Sequence, residues 1–181
     1  MKTIKDINTD GVLVVANVTK LKGQFNESNK FNYDYPEGLA GLIEKGIIHI
    51  TTTESDVKSA SFTLEINEID MDKWKVHETY NCLDIAEGDE VRILSHGDFT
   101  RTCDWKHGDF DEYAENGFFN KAVILERSPK IALPAGYYRV HTYTKTKLRK
   151  YAAPHFIFFL EPADKAATAT ITLQPVSYFS S

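Results

Sequence analysis

Histidine, aspartate and cysteine crowd one stretch of this chain. The tetrapeptide His-Gly-Asp-Phe stands at His96 to Phe99 and again at His107 to Phe110, with Arg101, Cys103, Asp104 and Trp105 between the copies. Imidazole, thiolate and carboxylate all ligate zinc or a similar ion, so two His-x-Asp groups on neighbouring turns would suit a metal-dependent enzyme. The spacing matches no established ligand pattern, however, and Gly-Asp after a hydrogen-bonding residue is ordinary turn chemistry. The expectation is a structural loop, with no metal and no cofactor. A nucleophilic thiol at Cys82 or Cys103 would need a base such as His77, His96 or His107 to ionise it. Nothing in the local sequence singles out such a pair, and free cysteines are among the most buried residues, so both are expected as reduced, inert thiols. Among Asp98, Asp104, Asp109, Asp111 and Glu112 no spacing fixes a separation for acid-base work. Neither GxGxxG nor GxxxxGK[ST] occurs. No catalytic residue is assigned, and the chain is not expected to be an enzyme.

Binding is the chemistry that remains. The stretch from Gly97 to Asn116 is dense in Asp, Gly, Lys and aromatic residues without a sustained period, which predicts a long excursion with one helical turn at Phe110 to Glu115. Long irregular connections often carry function. Asp98, Asp104, Trp105, Asp109, Asp111, Glu112 and Tyr113 are therefore the expected partner-binding surface, acidic and aromatic groups suited to a basic protein. A second face is offered by Tyr137 to Thr144, where alternation sets Tyr137, Arg139, His141 and Tyr143 on one side; these residues suit either an interface or the wet side of a sheet. The following KTKLRK is the one local basic cluster, and as a short hairpin connection it reads as solvated.

The elements that must position these residues are mostly strands. Gly11 to Val18 reads as a buried, central strand, and Pro36 opens a short helix whose Leu39, Leu42 and Ile43 share a face before Gly46 stops it. Period-two alternation over Ile47 to Thr52 and again over Phe62 to Ile66 predicts two antiparallel strands. A weaker strand follows around Trp74 to Tyr80 and a clearer one at Glu90 to Ser95, after the turn signal Glu87-Gly88-Asp89. Phe118 to Glu126, Tyr137 to Thr144, His155 to Glu161 and Thr168 to Leu173 complete the strand set. Without βα alternation, the pattern predicts a mainly β, antiparallel, sandwich-like domain with one or two short helices.

Bulk properties narrow the classes further. A chain of 181 residues suits one domain, 1–181. Hydrophobic residues at 42% and charged residues at 26% place it among globular chains rather than disordered ones. Net charge is −5, so no overall positive field favours nucleic acid. The opening MKTIKDINTDG meets Asp6 and Asp10 before any apolar run, and the longest apolar runs are far too short to span a bilayer, so neither export nor membrane insertion is expected and a cytoplasmic location is.

The segment Lys130 to Thr144, KIALPAGYYRVHTYT, followed by the apolar strand HFIFFLEP, resembles the C-terminal half of the competence protein J-type nuclease inhibitors, in which a leucine-proline-x-glycine-x-tyrosine turn leads into a core strand and a final hydrophobic strand. The long stretch at Gly97 to Asn116 and the KTKLRK connection depart from that compact pattern. The resemblance implies a binding protein that neutralises a toxin or nuclease, in the manner of bacterial immunity proteins, and it assigns no functional residue. A sugar-binding or other small-molecule-binding sandwich is the alternative class, with Trp74, Trp105 and tyrosines stacking on rings and Asp side chains holding calcium.

Overall fold

The computed structural model describes residues 1–32, 37–53, 55–104, 106, 109–147 and 153–164. The protein is mainly β. Five strands, β1 (Lys2–Ile7), β4 (Val57–Thr63), β9 (His155–Pro162), β8 (Gly136–Lys145) and β5 (Trp74–Ile85), lie in that spatial order in one sheet. Four more, β3 (Ile48–Thr52), β2 (Val12–Asn17), β6 (Val91–Ser95) and β7 (Lys130–Ile131), form the second. Every described pairing is antiparallel except β4 with β9, which run parallel with Ser59 opposite His155.

Alternation along each strand sorts side chains into layers. On β2, Leu13 and Val15 point into the space between the sheets, where they meet Ile93 of β6 and Phe62, Val140, Phe156, Phe158 and Leu160 of the facing sheet. Phe62 and Phe158 stack there at 5.1 Å between centroids. Val14 and Ala16 point the other way, with Ile48, Ile50 and Leu94, and this second apolar face is roofed by helices. The roof consists of α1 (Val18–Leu21), α2 (Glu37–Glu44), α3 (His96–Thr102), α4 (Phe110–Asn116) and α5 (Lys121–Arg127). The outer face of the five-stranded sheet carries a smaller cluster of Ile69, Tyr143 and Ile157 with Trp74 and Phe159.

The predicted strand at Gly11 to Val18 is β2, and it is interior to its sheet as expected. The helix after Pro36 is α2; Gly46 follows it at φ +68°, where an added Cβ would stand 2.8 Å from the Cys82 carbonyl oxygen. Three expectations are corrected. The strands β3 and β4 are not partners: β3 pairs with β2, and β4 with β1 and β9. The crossing is held by Thr9, whose amide donates to Asp56 Oδ1 and whose hydroxyl meets Thr53 Oγ1 at 2.8 Å. Residues 118–126 are not a strand: Asn120 caps a helix there by accepting from the Val123 amide. The excursion at Gly97 to Asn116 contributes two helices, most of α3 and all of α4, rather than one turn, so the helices exceed the one or two expected. Lys2–Ile7, unassigned in the sequence reading, is an edge strand. The strand expected at Thr168 to Leu173 lies outside the described residues.

The leucine-proline-x-glycine-x-tyrosine turn has a physical basis. The Tyr138 hydroxyl folds back to donate to the Pro134 and Ala135 carbonyls, 3.1 and 3.2 Å away. Its ring lies against Gly136, where an added Cβ would sit 2.6 Å from the hydroxyl. Only glycine admits this close approach.

Candidate functional site on the helical roof

The residues expected to bind a partner divide between the inside and the outside of the roof. Ser95 caps α3: its hydroxyl accepts from the Asp98 amide at 3.2 Å and lies 3.0 Å from Asp98 Oδ2. This turns the Asp98 side chain inward, where it is 1% exposed. Tyr113 Oη donates to Asp98 Oδ1 at 2.6 Å, and Arg127 reaches Oδ2 through Nε at 3.1 Å and Nη2 at 3.0 Å. One carboxylate thus ties α3, α4 and α5 together. Burial, and then the neighbouring Asp98 charge, push the Tyr113 phenol up to about 12. Asp98 and Tyr113 are therefore roof-fastening groups, and the expectation that they face a partner is corrected.

Asp109 caps α4, accepting from the Glu112 amide at 2.9 Å, and pairs with Lys22 Nζ at 2.6 Å. Burial alone would raise its pKa, but hydrogen bonds from Lys22 and from backbone amides outweigh it and hold the carboxyl low. It too is largely covered. Asp111 and Glu112 are exposed on the first turn of α4, and Asp104 is half-buried, accepting from the Lys106 amide at 3.1 Å. Trp105 lies outside the described residues. The two His-Gly-Asp-Phe copies hence do different work. The first starts α3 under the Ser95 cap; in the second, whose His107 and Gly108 are outside the described residues, Asp109 is itself the cap.

Beyond these lies a feature that the strand reading concealed. Between α4 and α5 the chain turns through Gly117, Phe118, Phe119 and Asn120. Phe118 is 90% exposed and Phe119 38%, their rings edge to face at 5.6 Å, with Val123 also exposed beside them. The Arg127 and Arg101 guanidinium carbons stand 4.8 and 5.9 Å from the Phe119 centroid. The signal was present in the sequence: Gly117 ends one helix, Asn120 opens the next, and the Phe pair between them has no helical face to bury it.

The other candidates are accounted for locally. Among the described residues no group of three or more His, Cys, Asp or Glu side chains is placed to hold a metal ion. Cys82 and Cys103 are buried, and burial pushes the Cys103 thiol far above its ordinary range. His49, buried at 1% exposure, lies between the sheets with Nε2 3.1 Å from Thr142 Oγ1 and 3.3 Å from Thr51 Oγ1. On the outer sheet face, His141 Nε2 meets Glu161 Oε2 at 2.8 Å and its ring stacks on Phe159 at 5.4 Å, while Lys145 stands over Trp74. No helix among the described residues is long and apolar enough to cross a membrane. No family model, curated protein or solved structure matches the chain.

Proposed function

We propose that this protein is a binding inhibitor, an immunity protein or nuclease inhibitor that neutralises a basic bacterial toxin by direct contact through the α4–α5 corner. The observation that carries the reading is the Phe118 ring, 90% exposed beside Phe119 and Val123. Covering a phenylalanine side chain gains roughly 1.5–3 kcal/mol, and aromatic anchors of this kind dominate interface energetics. Glu115, paired with Lys121, is exposed in the last turn of α4 next to this corner, and Asp111 and Glu112 are exposed on the first turn of the same helix. Their charge suits a basic partner and would speed its approach. The resemblance at Lys130 to Thr144 points to the same class.

The test begins with this protein as bait in an extract of its native organism, with any stoichiometric partner then purified. The reading requires a basic toxin or nuclease whose activity the wild-type protein suppresses. It also requires that Phe118→Ser and the double variant Asp111→Lys/Glu112→Lys each lose at least about tenfold in affinity, the scale of a single hot spot. A folded bait that captures no such partner, or variants that inhibit as well as wild type, would overturn it.

A further inference from the structure

The exposed Phe118 ring is joined to the buried Asp98 carboxylate by a short chain of contacts. Asp98 holds the Arg127 guanidinium through Nε at 3.1 Å and Nη2 at 3.0 Å. The same guanidinium lies over the Phe119 ring, 4.8 Å from its centroid, and Phe119 meets Phe118 edge to face at 5.6 Å. Arg101 stands farther from that ring, at 5.9 Å, close to the limit of such attraction. The backbone between the two helices is tied at both ends: the Gly117 amide donates to the Tyr113 carbonyl at 2.8 Å, and Asn120 caps α5. These ties fix the path of the chain but leave the phenylalanine side chains to their own torsions.

An unsupported side chain gives up rotamer freedom when a partner covers it, and a side chain already held in the docking direction does not. Arginine suits the holding task, because its planar guanidinium can turn an edge to a carboxylate and a face to an aromatic ring at once. Here the edge meets a carboxylate that the Ser95 and Tyr113 hydroxyls also fix. The Arg127 side chain is itself mostly covered, 23% exposed, so it offers a partner far less surface than Phe118 does.

We propose that Arg127, held by Asp98, is a positioning residue for the docking corner: by clamping the Phe119 ring it sets the direction in which Phe118 leaves the surface. This assignment rests on the reading of the corner as a docking site, but the hold on the rings is a property of the free protein and is measured without any partner.

Two variants of the full chain test it. Phe119→Leu removes the ring beneath the guanidinium, and the double variant Asp98→Asn/Arg127→Gln removes the clamp without burying a lone charge or altering net charge. In the free, folded protein, NMR relaxation of 13C-labelled phenylalanine rings should show Phe118 losing order in both variants, while Phe156 and Phe158 between the sheets keep theirs. Phe119 lies at the surface, so Phe119→Leu carries this measurement even if the double variant does not fold. Unchanged order at Phe118 overturns the proposal. With the toxin bound, the double variant should weaken affinity about three- to tenfold, the scale of one side chain ordered on binding. That loss should disappear in a Phe118→Ser background, where no ring remains to be aimed. A general defect in the roof would cost affinity equally in both backgrounds; that result, or wild-type affinity in the double variant, also overturns the proposal. If no basic toxin is found, the docking reading falls by itself, and the order of the Phe118 ring still supports or overturns the hold.

Discussion

The two faces of the four-stranded sheet are covered by different means. Toward the other sheet, Leu13, Val15 and Ile93 meet Phe156, Phe158 and Leu160 in a layer whose polar interruption, His49 with Thr51 and Thr142, is uncharged. Toward the roof, the apolar contacts of Val14, Ile50 and Leu94 are supplemented by fasteners: the Ser95, Asp109 and Asn120 caps and the Asp98 carboxylate shared by Tyr113 and Arg127. Strands align many side chains at once, whereas helices of seven residues have little propensity-based stability of their own and are held at discrete points. The roof is thus where single polar substitutions should act most strongly, and it also carries the corner proposed to bind.

The sharpest test of that contrast is Asp98→Ala. It leaves the Arg127 guanidinium and the Tyr113 hydroxyl facing a vacated interior, and should cost about 3–5 kcal/mol in chemical denaturation. A loss under about 1 kcal/mol would mean that the roof rests on apolar packing as the other face does. Next is His49, whose imidazole burial holds at about 3 against an ordinary 6.5. Between those values the unfolded chain takes up a proton that the folded one refuses, so stability is complete above pH 6.5 and falls by up to about 1.4 kcal/mol per pH unit below it. His155, also held low by burial and by Lys145 and Lys58, acts in the same direction. The slope between pH 6.5 and 5 should therefore shrink, without vanishing, in His49→Gln; an unchanged slope would show that the inter-sheet histidine is not its source.

Asp109→Ala removes the α4 cap and should cost about 1 kcal/mol, little of it from exposed Lys22. The Asp109 contribution is present above the ordinary carboxylate range and lost as pH falls through the depressed value, so wild type and variant should converge in acid. Phe118→Ser is expected to change stability by less than about 0.5 kcal/mol, because its ring touches so little of the fold. A larger loss would make Phe118 part of the roof rather than its outward-facing feature.

The same division explains what could be read from the sequence. The strands β2, β6, β8 and β9 stand out because period-two patterning reports which residues share a face. It says nothing of which strand is the neighbour, so β3 and β4 read as partners although Thr9 and Asp56 hold a crossing between sheets. The run Val123, Ile124 and Leu125 resembled a strand, yet the Asn120 cap and a turn of helix prevail, with Ile124 buried and Val123 exposed. Residue density around Asp98 and Tyr113 located a region that matters, but density cannot distinguish a carboxylate sealed by an arginine 29 residues later from one on the surface. Arg101, Arg127 and Phe119 become neighbours only when three helices fold over a sheet, and no local pattern encodes that convergence.

The one parallel pairing among the described strands has a consequence for how the chain is made. β4 joins β9 across Ser59 and His155, about half the chain length apart, so β1 and β4 gain their place in the five-stranded sheet only through a strand near the other end. During synthesis the β1–β4 pair must wait beside a growing chain until residues 155–162 have left the ribosome. Long-range closures of this kind are slow and leave strand edges open while they are pending. The charged residues Lys2, Lys5 and Asp6 on β1 guard one such edge during that interval, discouraging nascent chains from pairing with one another.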